Sequence, residues 1–223
     1  MICLRSGRLP ALGVGLLLLA CGGDGGGGTG PCTPGPATQL VKSGDGQTWY
    51  VNNPLPAPLS VTARDANNCA VPGVVVNWAV ASGGGGVTPA QSTTGASGVA
   101  TTTDSIGSTS PQTVTATFTG LSTPVTFTAT ASAPPTSFGV SVENNSFGPA
   151  TAVVKVGGTV TWTWNSGTIA HNVTYSSGPA PLPADSPTQA GGTTFSSTFA
   201  TVGTYAYHCT IHLNMEGTVR VVH

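Results

Sequence analysis

The chain is dominated by short segments in which hydrophobic and polar residues alternate. In one segment the hydrophobic positions of one parity are Val74, Val76, Trp78 and Val80. Residues 113–119 and 125–131 repeat the pattern, with threonines at the polar positions. A period of two is typical of strands that bury one face. Because Gly-, Pro- and Asn-rich turns separate the segments, residues 37–133 are predicted to form a β-sandwich.

The same alternation continues after a short linker at residues 134–136, Pro-Pro-Thr. In residues 154–156 and 160–164, valines and tryptophans occupy every second position, on either side of Gly157-Gly158. This pattern predicts a β-hairpin. Residues 171–175 are predicted to form a further strand, and alternation returns at 205–209. Residues 137–223 are therefore predicted to form a second antiparallel sandwich, and the fold class is all-β with two sandwich domains.

Composition excludes one class of partner. Only 6% of the residues are charged and the formal net charge is −1. A protein that binds nucleic acid needs a basic face to neutralise phosphates, so no nucleic-acid partner is expected.

The first 20 residues have the pattern of an export signal. Arg5 and Arg8 precede an apolar stretch that is too short to span a bilayer comfortably. The stretch ends Leu-Leu-Ala-Cys, which resembles the bacterial lipobox and implies cleavage before Cys21 and lipid attachment to it. Residues 21–36 would then be the lipidated cysteine and a Gly-rich tether. The protein is expected to be exported and anchored to a bacterial membrane, on its periplasmic or cell-surface side; the alternative is an ordinary secretory signal followed by an unrelated cysteine.

The five cysteines can each be given a separate role. Cys3 leaves with the signal, Cys21 carries lipid, and Cys209 belongs to a metal motif. Cys32 and Cys69 remain, and outside the cytoplasm two leftover thiols usually pair. A Cys32–Cys69 disulfide is predicted, with two free thiols as the alternative.

The first predicted sandwich resembles a known family. The segments VTARDANNCAVPGVVVNWAVASGGG, TTGASGVATTT and TVTATFTG are similar to bacterial Ig-like domains of the invasin/intimin type. The resemblance implies an Ig-like sandwich at residues 37–133 that acts as a spacer or an adhesion module.

The second predicted sandwich carries a set of metal-ligating side chains. Cys209, His212 and Met215 have the spacing C-x2-H-x2-M, and His171 precedes them on another segment. Two imidazoles, a thiolate and a weak thioether are the ligands of a blue copper site. The alternatives are a free cysteine among core His and Met residues, or a structural zinc site, although zinc rarely recruits methionine.

This region also resembles a family. FGPATAVVKVGGTVTWTW, HNVTY and FATVGTYAYHCTIHLNMEGTVRVV are similar to the cupredoxins, and the ligand loop has the length found in amicyanin-like members. The resemblance implies a Greek-key sandwich at residues 137–223 that holds one type 1 copper through His171, Cys209, His212 and Met215. It also implies that Asn172 supports the ligands by joining their two segments. The loop lacks the proline that is common in amicyanin-like proteins.

The resemblance implies an electron-transfer protein rather than an enzyme, with His212 as the exposed portal and unidentified redox proteins as partners. Two alternatives stay open: copper binding without a redox partner, and adhesion through the first sandwich. His208 stands where copper nitrite reductases have a ligand of a second copper, but only His223 remains to complete such a site. A surface position is therefore expected for His208.

Overall fold

A computed structural model describes residues 32–223 of the chain. Within this range the chain forms two successive β-sandwiches from 17 strands and no helix, which confirms the all-β prediction. No helix in the described range is long and apolar enough to cross a membrane. The predicted signal segment, Cys21 and most of the Gly-rich tether lie outside the described residues, so those assignments stay predictions.

The first sandwich contains nine strands. They are β1 (Gln39–Ser43), β2 (Thr48–Tyr50), β3 (Leu59–Arg64), β4 (Val75–Ser82), β5 (Gly85–Thr88), β6 (Gln91–Thr93), β7 (Val99–Ile106), β8 (Gln112–Thr117) and β9 (Val125–Ser132). One sheet has the order β1-β3-β7-β5 and the other β2-β9-β8-β4-β6. Val76, Trp78 and Phe127 are among the side chains that fill the core between them.

The second sandwich contains eight strands. They are β10 (Ser137–Val142), β11 (Phe147–Gly148), β12 (Thr151–Lys155), β13 (Thr159–Trp164), β14 (Thr174–Ser177), β15 (Thr194–Thr198), β16 (Gly203–His208) and β17 (Glu216–Val222). Its sheets have the orders β11-β10-β13-β15 and β12-β17-β16-β14. The pairs β10–β13 and β12–β17 are parallel, so the prediction of an antiparallel sandwich is wrong for these two pairs. Alternation shows which face of a strand is buried but not the direction in which the strand runs.

Alternation explains which side chains enter the second core. Val160, Trp162 and Trp164 of β13 are buried, and the threonines between them face outward. In β16, Tyr205 and Tyr207 point inward. Because alternate residues continue to point inward past the end of the strand, the thiol of Cys209 also reaches the core.

The predicted hairpin at Gly157-Gly158 is wrong. Strand β12 pairs with β17, whereas β13 pairs with β10 and β15, so the two strands belong to opposite sheets. The turn therefore carries the chain across the sandwich, with Gly157 donating to the carbonyl of Phe199. Residues on both strands still point into one core, and for that reason a crossing and a hairpin give the same hydrophobic pattern.

The strand predicted at residues 171–175 is shorter than expected. β14 begins at Thr174, and His171 forms an isolated antiparallel bridge with Gln189. The bridge has two main-chain hydrogen bonds of 2.9 Å. A two-residue bridge thus holds the His171 segment in place.

Cys32 and Cys69 are each disulfide-bonded, and Cys209 is the free cysteine of the described residues. The pairing of Cys32 with Cys69 stays the sequence-based prediction.

Candidate metal centre

Three of the predicted ligands come together at one end of the second sandwich. The ligand atoms of His171, Cys209 and His212 all lie within 4.8 Å of one another. The sulfur of Cys209 is 3.7 Å from Nδ1 of His171 and 3.7 Å from Nδ1 of His212. The two imidazole rings are tilted at 40°, with centroids 4.5 Å apart. Two nitrogens therefore flank one sulfur.

The loop at residues 209–215 supplies two of these groups and Met215. It connects β16 to β17 just past their last pair, His208 with Glu216. The amide of Cys209 donates to the carbonyl of Met215 over 2.9 Å, which closes the loop at its base. Asn214 adopts φ 63°, a left-handed conformation that Asn tolerates better than most residues. Both ends of the loop are buried, since Cys209 is 3% and Met215 1% exposed.

His171 reaches the site from a separate segment and is fully buried. Its carbonyl accepts a hydrogen bond of 3.2 Å from the indole Nε1 of Trp164, and its main chain is bridged to Gln189. Its Nε2 has no hydrogen-bond partner within residues 32–223, so its ring is positioned through the backbone. Burial, together with the nearby His212, lowers the pKa of His171, which favours the neutral form that binds a metal.

Asn172 joins the His171 segment to the ligand loop. Its Oδ1 accepts from the amide of Thr210 over 2.9 Å, and its Nδ2 donates to Oγ1 of Thr210 over 2.7 Å. Since Thr210 directly follows Cys209, these two bonds fix the distance between the ligand segments. This is the contact that the supporting role predicted for Asn172 requires.

The arrangement fits a metal ion. Bonds of about 2.0 Å to nitrogen and about 2.3 Å to sulfur, the lengths known for zinc, separate the two donors by about 3.7 Å when they open at a trigonal angle. The observed sulfur–nitrogen distances have that value. Thiolate and imidazole donors in a trigonal arrangement with a methionine at hand are the ligand set of copper electron-transfer sites. The residues therefore suit a type 1 copper ion, with Met215 positioned by the same loop.

His208 lies outside this cluster. It is half-buried, at the end of β16, opposite Thr174 and Glu216 on the neighbouring strands. Within the described part of the chain, the three-residue cluster above is the one group of His, Cys, Asp or Glu that could hold a metal ion.

Two contributing residues escaped the sequence-based interpretation. Thr210 is the partner of Asn172, and its position beside Cys209 was a signal that could have revealed it. Trp164 holds the carbonyl of His171, but its alternation marked it only as a core residue. The sequence offers no signal for a bond between an indole and a main-chain carbonyl seven residues away.

Comparisons with known proteins agree with the geometry. Residues 136–222 match the family of copper-binding proteins of the plastocyanin/azurin type. Plastocyanin of Scenedesmus fuscus is 34% identical over 84 residues, which are 34% of this chain and 85% of that protein. Amicyanin-alpha of Methylorubrum extorquens is 37% identical over 90 residues, which are 40% of this chain and 75% of that protein.

Two solved structures match part of the chain. A purple cupredoxin from Nitrosopumilus maritimus is 26% identical, with a TM-score of 0.34, over 38% of this chain and 98% of that one. A copper(I) form of an amicyanin variant is 33% identical, with a TM-score of 0.36, over 39% of this chain and 82% of that one.

A site of two imidazoles and one thiolate lies within the matched region, and copper is the cofactor that both the ligand set and the relatives specify. Through residues 136–222 the chain belongs to the plastocyanin/azurin family of copper-binding proteins.

Proposed function

We propose that the protein is a one-electron carrier, not an enzyme, that exchanges electrons with other redox proteins outside the cytoplasm. The observation that carries the proposal is the arrangement of the Cys209 sulfur between two imidazole nitrogens. When bound there, copper supplies a centre that changes between Cu(I) and Cu(II). A soft thiolate and neutral imidazoles serve both oxidation states.

The protein holds these ligands in place by its own contacts. Asn172 is bonded to Thr210 twice, the amide of Cys209 is bonded to Met215, and Trp164 is bonded to the His171 carbonyl. Such support limits how far the ligands move when the charge of the site changes. A site that rearranges little is suited to rapid electron exchange.

The surface around His212 supplies a route for the electron. His212 is half-buried, whereas its neighbours Ile211 and Leu213 are 50% and 94% exposed. No residue of the loop at 209–215 is charged. An exposed apolar surface of this kind suits the small, short-lived interfaces of redox proteins, because water leaves it at low cost.

Electron self-exchange tests the proposal. In a mixture of Cu(I) and Cu(II) protein, NMR line broadening measures the exchange rate. Leu213→Ser is expected to slow exchange while leaving the reduction potential unchanged. Leu182→Ser is the matched control, because Leu182 is also an exposed leucine of the second sandwich, at 42%, but lies outside the ligand loop.

Slow exchange in the wild-type protein would contradict the carrier proposal and favour copper binding without a redox partner. Equal effects of Leu213→Ser and Leu182→Ser would contradict the assignment of the electron route to the His212 surface.

We also propose that the protein is exported and lipid-anchored through Cys21, with an Ig-like first sandwich as a spacer. The basic and apolar pattern of residues 1–20 supports export, and the disulfide-bonded state of Cys32 and Cys69 suits an oxidising compartment. Cys21→Ser is expected to move the protein from the membrane fraction to another fraction. Membrane association that is unchanged in this variant would refute the anchor.

A further inference from the structure

The two sandwiches meet at a junction built by a buried asparagine. Asn53 follows β2 of the first sandwich and is 3% exposed. Its Oδ1 accepts from the amide of His223 over 3.0 Å, and its Nδ2 donates to the main-chain oxygen of His223 over 3.2 Å. Nδ2 also donates to the carbonyl of Val51 over 2.8 Å. One side chain thus bonds both main-chain groups of a residue 170 positions away, as a neighbouring strand would.

A second contact crosses the junction beside the first. The guanidinium of Arg220, on β17, lies 4.5 Å from the ring centroid of Trp49, on β2. Trp49 in turn packs against Tyr50, with ring centroids 4.8 Å apart. A cation over an indole face is attracted by the ring's quadrupole, and the planar guanidinium also stacks on it.

The linker is bonded to the second sandwich as well. Ser132, where the first sandwich ends, accepts from the amide of Val51 over 2.9 Å. Pro135 and Thr136 accept from the amides of Lys155 and Thr159. The linker therefore continues from a strand end that is held in the first sandwich, and its own hydrogen bonds are to the second sandwich. The junction thus has three separate points of connection.

The metal loop and the start of the first sandwich lie on opposite sides of this junction. The side chain of Lys42 contacts Thr126, and Val51 contacts Ser132, so the chain from β1 to β2 runs along β9 toward the junction. Strand β17 runs from the metal loop at Glu216 to the junction. Its seven residues span about 20 Å at about 3.3 Å per residue.

We propose that the two sandwiches move as one rigid body, in which the first sandwich is a stalk that holds the copper loop on the far side of the junction from β1. The contacts of Asn53 and Arg220 lock the stalk. The use of this stalk to present the copper site away from a membrane rests on the proposed lipid anchor. The rigidity itself depends neither on the anchor nor on copper.

NMR relaxation of backbone amides tests the rigidity. The sample is the full chain with Cys21→Ser, which removes the proposed lipid attachment, in its copper-free form. The rotational correlation times of the two sandwiches are compared in the wild-type junction and in the double variant Asn53→Ala/Arg220→Ala. The control is Asn144→Ala/Asn145→Ala, which removes two amides from exposed positions of the second sandwich away from the junction.

The proposal expects one common correlation time for both sandwiches in the wild-type junction and in the control. It expects two different and shorter times in the Asn53→Ala/Arg220→Ala variant. Separate tumbling in the wild-type junction would overturn the rigid body. Common tumbling in the Asn53→Ala/Arg220→Ala variant would overturn the assignment of the lock to these two residues. Neither result depends on whether the protein carries electrons, because no copper is present.

Discussion

Replacing Gly217 with alanine should destabilise the second sandwich, because Tyr207 occupies the space that the new methyl group needs. Gly217 on β17 pairs with Tyr207 on β16. A Cβ at position 217 would lie 2.4 Å from Cζ and 2.5 Å from Oη of Tyr207. The Tyr207 ring is 1% exposed and is held between Trp162 and Phe147, with centroid distances of 5.2 and 4.8 Å.

The ring cannot move aside without disturbing these neighbours. Overpacking of this kind costs about 1–3 kcal/mol of the free energy of unfolding. Gly139 on β10 is the matched control, since an added Cβ there meets nothing within 4 Å. Because glycine within a strand is less favourable than alanine by about 0.5–1 kcal/mol, Gly139→Ala should stabilise the same sandwich. The two substitutions should therefore change the free energy of unfolding in opposite directions.

Urea unfolding of the copper-free protein measures the difference. Cross-peaks of residues 137–222 should be followed by NMR, because the two sandwiches need not unfold in a single transition. The packing argument would be refuted if Gly217→Ala unfolded at the wild-type urea concentration. It would also be refuted if both substitutions shifted the midpoint in the same direction.

Three further predictions follow from individual contacts. Asn172→Ala should weaken copper binding about 10–100-fold. Thr210→Ala should weaken it less, because the bond from the main-chain amide of residue 210 to Asn172 remains. If chelator competition gave Asn172→Ala the same copper affinity as the wild-type protein, the supporting role of Asn172 would be contradicted. Met215→Gln should retain copper and lower the reduction potential, because a harder donor replaces the thioether; a raised potential in voltammetry would contradict it. Burial raises the pKa of Asp104 to about 6, although the amide of Gln112 donates to it. Since the folded carboxyl keeps its proton to higher pH than the unfolded one, the first sandwich should lose stability as pH rises from about 4 to about 6. Asp104→Asn should flatten this dependence in urea unfolding, and an unchanged slope would exclude Asp104 as its source.

The sequence was informative where a residue's role depends on parity or spacing. Alternation predicted β4, β8 and β9 of the first sandwich and β12, β13 and β16 of the second. Because alternate residues of β16 point inward, it also accounts for the burial of Cys209. The C-x2-H-x2-M spacing predicted three ligands on one loop. His171 was predicted as the fourth ligand from a separate segment, and the resemblance to cupredoxins added the supporting role of Asn172. The distance of both residues in sequence from the loop hides their proximity to it.

Contacts between segments far apart in the chain were not predictable. Parity cannot distinguish a hairpin from a crossing between sheets, so the pairing of β12 with β17 rather than β13 was missed. The bonds of Asn53 to His223 depend on how two folded units meet. Residue type and spacing do not predict this contact between the two sandwiches, because an asparagine that follows a strand is equally typical of a turn.

The visible and electron paramagnetic resonance spectra of the Cu(II)-loaded protein test the central claim most directly. Charge transfer from the Cys209 thiolate to Cu(II) should give an intense colour and the resonance spectrum of a type 1 site. Both features should be lost in Cys209→Ser. A wild-type protein that binds Cu(II) with only weak colour, or a Cys209→Ser protein that stays intensely coloured, would contradict the assignment of a type 1 copper centre.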